Sequence, residues 1–346
     1  MPEYKPENLI LAIESSCDET AGAILRNGRE ILSQFVASQA DLHRVYGGVV
    51  PEVACRAHME CLLPGIDKLL RDAEVAPKRL DAVAVTNRPG LIGALLVGVS
   101  AAKALSLAWR KPLIGIDHVE AHIAAAALVE PELSMPYVAL VVSGGHTSLY
   151  LVGEGENGRD DMTRLASTLD DAAGEAFDKA ARLLGLGFPG GPQIERAARN
   201  GNPRAFAWRQ SCLPPDGNNF SFSGLKTAVL YAARGTAGRK GPLLLDEKGV
   251  MDAAASFQEA VSHALVSRAI QTAERHRVKW LALGGGVAAN SYLRNAVSLA
   301  AKAKDISVAI PPMSLCTDNA VMVAARAAKL FSFGVRDELD LETAAR

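Results

Sequence analysis

One pattern occurs twice in this chain of 346 residues, and it limits the available folds more than any other feature. Near the start, NLILAIESSCDETAGAIL reads as an apolar strand, a small polar turn and a second apolar strand. At the middle, YVALVVSGGHTSLYLV repeats strand, Ser/Gly/Thr turn and strand. Each unit opens one half of a chain long enough for two domains, each with its own hydrophobic interior. Nearly half the residues are apolar (49%), the charges are mixed and the formal net charge is −1, which argues against both global disorder and a supercharged surface.

After the first hairpin comes a βαβ unit around VAVTNRPGLIGALLVG; after the second come a helix DDAAGEAFDKAARLLGLG closed by glycine, a loop FPGGP and an irregular stretch to FSFSGLKTAV. A helix then repeats apolar positions at Phe257, Val261, Leu265 and Ala269, a buried strand VKWLALGGG follows, and a last helix starts near CTDNAVMVAARAAKLF. Strands alternating with helices predict an α/β protein. The most membrane-like segment, LIGALLVGVSAAKALSLAW, carries Lys103 at its middle and lies between two short strands, so it reads as the buried helix of the βαβ unit. The N-terminal run is broken by Glu14 and fits a first strand, not a secretory signal, so a cytoplasmic protein is expected. Five cysteines without a C-x-x-C pair point to reduced thiols and exclude a cysteine-based zinc ribbon.

Both turns suit the approach of a ligand. Ser15, Ser16 and Thr20 in the first, and Ser143, Gly144, Gly145 and Thr147 in the second, offer hydroxyl and backbone N–H groups that can hold an anion, although small turn residues also occur in hairpins without a ligand. A third glycine-rich segment, Gly284 to Gly286, joins a strand to a helix and suits a nucleotide better than a dinucleotide, since the Rossmann spacing is missing.

In GIDHVEAHIAAAALVE, His118 and His122 are four residues apart and share a helix face, the spacing of a metal clip. Glu120 points about 200° away from His118 at 100° per residue, so the order H-V-E-A-H lacks the base of an H-E-x-x-H peptidase. Further ligands are expected from carboxylates: Asp318 precedes the last helix, where it can cap or coordinate, and Asp18 and Glu19 lie in the first turn. Asp171, Glu175 and Asp178 form an acidic stripe that Glu175–Lys179 and Asp178–Arg182 pairs would explain as a solvated face.

Taken together, IESSCDET, YGGVVPEVACRAH, HVEAH, VVSGGHT, DDAAGEAFDKAARLLGLGFPGGP, FSFSGLKT, GGGVAAN and CTDN resemble the family of tRNA adenosine threonylcarbamoyltransferases, long labelled O-sialoglycoprotein endopeptidases, over roughly positions 8 to 335. The resemblance implies two related α/β lobes of the actin, hexokinase and sugar-kinase type with the ligand between them. It divides the chain into a first lobe, 1–117 with the C-terminal helix 319–346, and a second, 118–318, carrying metal and adenylate. It implies transfer of threonylcarbamoyl from threonylcarbamoyl-AMP to N6 of the adenosine 3′ of the anticodon in tRNAs reading codons that begin with A. By motif, His118, His122 and Asp318 would hold one metal, Fe(II) first and Zn(II) as the alternative. Val141, Val142, Ser143, Gly144 and Gly145 would bind the adenylate, with Asp178 and Gly191 at the ribose and Asn290 at the base. Asp18 or Glu19 is the candidate proton acceptor.

Near-neutral charge gives no autonomous footprint for tRNA; Lys226, Arg239 and Lys240 are only local basic groups. The resemblance to bacterial members implies two partners, a smaller paralogue of the same fold and a P-loop ATPase, and no membrane. A small-molecule kinase on the same lobes, or a non-catalytic nucleotide-binding scaffold, are the competing readings; a kinase would have no need of a two-histidine clip.

Overall fold

The computed structural model describes residues 7–155, 160–212 and 219–345. It divides into two units, Met1–Leu128 with Asp318–Arg346, and Val129–Thr317. The first is built on strands β1 (Leu9–Glu14), β2 (Glu19–Arg26), β3 (Glu30–Ser38), β4 (Ala82–Arg88) and β5 (Leu113–Asp117) in the order β3-β2-β1-β4-β5. The second uses β6 (Tyr137–Val142), β7 (Thr147–Glu154), β8 (Asp160–Ser167), β9 (Trp280–Gly284) and β10 (Ser307–Ala309) in the order β10-β9-β6-β7-β8. The two orders are the same topology. Each sheet starts with an antiparallel three-strand meander, and its first strand then pairs in parallel with a fourth, which pairs in parallel with a fifth. The duplicated hairpin therefore extends to a duplicated five-stranded sheet.

β1 and β6 lie at the centre of their sheets, and every residue of both is buried, which explains why they read as apolar runs and not as alternating patterns. Alternation still decides what each β1 side chain meets. Leu9, Leu11 and Ile13 join the core beneath helices α2 (Pro51–Asp72), which follows the short α1 (Ala40–Arg44), and α3 (Ile92–Trp109). Ile10, Ala12 and Glu14 therefore turn to the opposite face, where the last helix packs. In the second unit Val138, Leu140 and Val142 join a core shared with α5 (Ala173–Leu183), α6 (Gly190–Ala198), α7 (Ser223–Arg234), the 29-residue α8 (Glu247–Arg275) and α9 (Ser291–Lys302).

α3 is long and apolar enough to cross a membrane, yet it is the crossover between parallel neighbours β4 and β5. It is not wholly buried as expected: Ala94, Leu95, Gly98, Val99 and Ala102 face the core, while Ile92, Leu96 and Leu107 are exposed.

The division also falls elsewhere than at 117/118. Helix α4 (His118–Val129) runs on from β5, Asp117 accepts from the Val119 and Glu120 N–H groups to cap it, and it stays with the first unit to Leu128. Asp318 joins the same unit, together with α10 (Ala320–Ser332), so the metal-ligand candidates all belong to the first unit and not the second. Nor does the last helix reach the chain end; beyond Ser332 the chain returns to β5, where Asp337 accepts from Gly115 N–H at 2.8 Å.

Gly285 marks where β9 runs closest to the end of β6. Its φ is +91°, and a Cβ there would press into the Val142 carbonyl, whereas nothing lies within 4 Å of a Cβ added at Gly286. Gly285→Ala is expected to cost more than about 2 kcal/mol and Gly286→Ala less than about 0.5 kcal/mol in urea unfolding. Equal losses would remove the argument for a close backbone approach.

Candidate functional site

Three side chains in the first unit converge. His118 and His122 project from one face of α4, and Asp318 from the residue pair that leads into α10. Asp318 Oδ1 stands 3.4 Å from His118 Nε2 and 3.2 Å from His122 Nε2, and one ligand atom from each residue lies within 4.8 Å of the others. Donors held on one ion at about 2.1 Å in a tetrahedron are about 3.4 Å apart, so the cluster has the dimensions of a metal centre. His122 is 1% exposed, and neither ring nitrogen has a hydrogen-bond partner, although Nε2 faces the carboxylate closely. A buried imidazole without a hydrogen-bond partner fits a metal ligand better than a packed core side chain. Capping, the alternative for Asp318, falls to its neighbour: Asn319 Oδ1 accepts from Met322 N–H at 3.0 Å.

The residue that organises this cluster is Glu14, which sequence reasoning treated only as an interruption of an apolar strand. It is completely buried, and its carboxylate accepts from Ser16 N–H at 2.6 Å, from Thr86 Oγ1 at 2.6 Å and from His118 Nδ1 at 3.1 Å. Protonated on Nδ1, His118 presents its Nε2 lone pair to the ion site, the arrangement by which carboxylates orient metal-binding histidines. Burial opposes charge on His118, but Asp318 and Glu14 on either side outweigh it and hold its pKa well above the ordinary value. Burial would likewise raise the two carboxyls, yet His118 draws Glu14 below its usual range and Asp318 well below. Burial, helped by the His118 charge, lowers His122. With both imidazoles neutral, as ligation requires, the Glu14 and Asp318 carboxylates leave the pocket two negative charges, which a dication would offset. The signal was present in LILAIE: a charged residue ending a wholly apolar strand requires a partner.

Glu120 faces elsewhere, as its helical phase requires. Its Oε2 accepts from Arg326 Nη2 at 2.7 Å and Nε at 2.9 Å, tying α4 to α10.

The first turn is not the anion cradle that its serines suggest. Ser15 Oγ donates to Ala94 O at 3.0 Å, Ser16 Oγ lies 3.2 Å from His118 Nδ1, and both serines are buried. What the turn leaves half-exposed is Asp18 and Glu19. Burial raises the Asp18 carboxyl, and burial, with Asp18 and Asp318 adding repulsion, raises Glu19 to about 7, despite Ser38 Oγ donating to Glu19 Oε1 at 2.9 Å. Such a carboxyl can both hold and release a proton near neutrality.

The second turn does offer open backbone. Val141 and Val142 are buried in β6 and Ser143 closes the turn by accepting from His146 N–H at 3.1 Å and from Gly174 N–H at 3.1 Å through its hydroxyl and carbonyl respectively. Beyond them Gly144 and Gly145 are exposed, and an added Cβ would meet nothing within 4 Å at either. Gly191 is equally open. Internal packing therefore does not explain these three glycines. Asp178 is not part of a merely solvated stripe: its Oδ1 accepts from Gly190 N–H at 2.6 Å and fixes the FPGGP loop, while Glu175 pairs with Lys179 at 2.7 Å. Asn290 caps α9 by accepting from Leu293 N–H at 2.9 Å and donates to Gln258 Oε1 at 2.8 Å, so its amide is engaged by protein. Lys226 pairs with Asp171 at 3.0 Å; the side chains of Arg239 and Lys240 lie outside the described residues.

Two sheets of one topology, each opened by a hairpin, define an α/β protein of the actin, hexokinase and sugar-kinase class. The fold is shared with HypF of T. kodakarensis (TM-score 0.63, 17% identity, covering 95% of this chain and 48% of that one) and with component A of the Acidaminococcus fermentans (R)-2-hydroxyglutaryl-CoA dehydratase (TM-score 0.53, 16% identity, 95% and 100%). Sequence goes further. A model of the tRNA N6-adenosine threonylcarbamoyltransferase family matches residues 30–325. Proteins of that name from Symbiobacterium thermophilum and Geobacter sulfurreducens are 53% and 51% identical, covering 97% and 91% of this chain and 95% and 90% of their own lengths. The chain belongs to the tRNA N6-adenosine threonylcarbamoyltransferase family and is a transferase that modifies tRNA.

The pairing of Glu120 with Arg326, which is 5% exposed, generates a stability prediction. Glu120→Ala leaves a buried guanidinium without that carboxylate and is expected to lower the unfolding free energy by about 1–3 kcal/mol, read in urea denaturation. Wild-type stability would mean that the ion pair does not contribute.

Proposed function

We propose that the enzyme carries threonylcarbamoyl from threonylcarbamoyl-AMP to N6 of the adenosine 3′ of the anticodon in tRNAs reading codons that begin with A, with a divalent metal on His118, His122 and Asp318. The observation that carries the metal part is the buried, hydrogen-bond-free His122 facing Asp318 beside an oriented His118. Two imidazoles and one carboxylate suit Fe(II), with Zn(II) accepting the same donors. When bound, the ion supplies Lewis acidity toward a carbamoyl or phosphoryl oxygen.

The chain's own residues account for the rest. The shelf of Val141, Val142, Ser143, Gly144 and Gly145 would carry the adenylate against backbone, with Gly191 and the loop held by Asp178 at the ribose and the Asn290 cap beneath the base. In the transfer, N6 forms a bond to the carbamoyl carbon, the bond from that carbon to the phosphate oxygen breaks, and AMP leaves with the electron pair. The N6 proton goes to a carboxylate of the first turn. Glu19, with its pKa raised to about 7, suits that role better than a fully ionised surface acid, and Asp18 beside it is the second candidate. Exocyclic amines attack poorly, so orientation on a rigid shelf does much of the work.

A tRNA substrate implies a cytoplasmic site of action. A chain of net charge −1 needs help with such a polyanion, which supports the smaller paralogue and the P-loop ATPase as partners. Met59 and Leu63 on α2 and Ile92 and Leu96 on α3 are exposed at i,i+4 spacing on helices that cross closely at Cys55 and Gly93, an apolar face suited to a second protein of this fold.

The direct test is incubation with threonylcarbamoyl-AMP and unmodified tRNA, with and without the two partners, followed by nucleoside analysis. Modified adenosine is expected, with turnover falling as pH drops through about 7 because Glu19 must be ionised to accept a proton. Glu19→Gln should lower turnover by about 10²-fold or more and flatten that acidic limb. No modified nucleoside under any condition would defeat the reading, and an unchanged limb in Glu19→Gln would move the base elsewhere.

A further inference from the structure

A second polar cluster, away from the ligand triad, lies under the first turn. His58 on α2 and His43 on α1 are both 0% exposed, and Gln39 between them is 3% exposed. Three large polar side chains buried together need a complete set of partners, and here the donors and acceptors resolve into one direction. Val50 N–H donates to His43 Nδ1 at 3.3 Å, which leaves the His43 proton on Nε2, 3.2 Å from Gln39 Oε1. The Gln39 amide nitrogen donates to Ala54 O and to His58 Nδ1, both at 3.4 Å, and Thr20 Oγ1 lies 2.8 Å from the same Nδ1. The His58 proton is thereby on Nε2, from which it donates to Cys17 O at 3.0 Å. Both imidazoles are neutral in this arrangement, and for His58 burial lowers the pKa accordingly.

The chain ends on the turn that carries the two carboxylates. Cys17 O is held by His58, Asp18 O accepts from Gln39 N–H at 3.1 Å, and Glu19 Oε1 accepts from Ser38 Oγ, whose oxygen also accepts from Ala40 N–H at 3.3 Å. Each residue from Cys17 to Glu19 is therefore held from α2, from the end of β3 or from Gln39 that follows it. A general base requires such fixing, because a carboxylate displaced by a fraction of an ångström no longer meets its proton.

We propose that His58, Gln39 and His43 are positioning residues for the transfer reaction: His58, oriented by Gln39 and His43, fixes Cys17 O, and the Gln39 N–H fixes Asp18 O, so that the turn presents Asp18 and Glu19 in one arrangement. The inference rests on the reading that one of those carboxylates takes the N6 proton. Its test compares His58→Leu, which removes the hydrogen bond to Cys17 O, with His58→Gln, whose amide reaches the same carbonyl. In the transfer assay with partners, His58→Leu is expected to lose at least about 10-fold in kcat with KM for threonylcarbamoyl-AMP and metal content unchanged. His58→Gln should return to within about 3-fold of wild type. Independently of any variant, ¹⁵N–¹H spectra of the wild-type imidazoles at neutral pH should show His58 and His43 as Nε2–H tautomers.

Wild-type kcat in His58→Leu, equal losses in both His58 variants, or an Nδ1–H or charged His58 in the spectra would overturn the proposal. Should His58→Leu not fold, His58→Gln and the spectra decide. Asp18→Asn and Glu19→Gln run in parallel separate the two levels of the account. If neither loses turnover, the base assignment fails whatever His58 does; if either does while His58→Leu turns over normally, only the positioning role fails.

Discussion

The first unit depends on a wholly buried carboxylate. Glu14 ends a strand buried on both faces, and an ionised group there is tolerable only because Ser16, Thr86 and His118 supply three hydrogen bonds to it. That requirement fixes more than one side chain. Ser16 sets the path of the turn, Thr86 ties β4 to β1, and His118 is locked in the tautomer and orientation that send Nε2 toward Asp318. Because β1 alternates, the carboxylate emerges on the face where α4 and α10 begin, and those helix starts carry His118, His122 and Asp318.

The same topology in the second unit meets a different need. There the strand corresponding to β1 ends in Val142 and not in an acid, and the turn that follows is glycine-rich and open. One unit thus concentrates negative charge and imidazole, while the other offers neutral backbone suited to a phosphate and a flat base. A duplicated fold carries two dissimilar turns, one lined by ionisable side chains and one of open backbone.

Much of this was legible in the sequence because periodicity reports it. The repeated hairpin and the α/β alternation show as apolar runs broken by small polar turns, and the His118/His122 face and the direction of Glu120 follow from the 3.6-residue helical period. Roles that depend on which partner a polar side chain finds were not legible. Ser15 and Ser16 look like ligand donors in a string of letters and prove to be buried braces; Asp318 and Asn319 are equally good caps until the helix start selects Asn319. The boundary that the resemblance implies, at residue 117, differs from the division at Leu128: an Asp117 cap ties α4 to the strand before it, and a Glu120–Arg326 ion pair ties it to α10. Glu14 was readable in principle, as a charge where no charge should be.

Glu14 and its neighbours would hold His118, His122 and Asp318 as three ligands of one divalent ion, with its remaining positions open. X-ray absorption at the metal edge, on protein loaded with one equivalent of Fe(II) and separately of Zn(II), tests it most directly. The account predicts two imidazole ligands at about 2.1 Å in the wild type, one in His122→Ala, and a loss of affinity of about 10- to 100-fold in Glu14→Gln. Stoichiometric metal whose spectrum shows no imidazole, or one unchanged by His122→Ala, would contradict it.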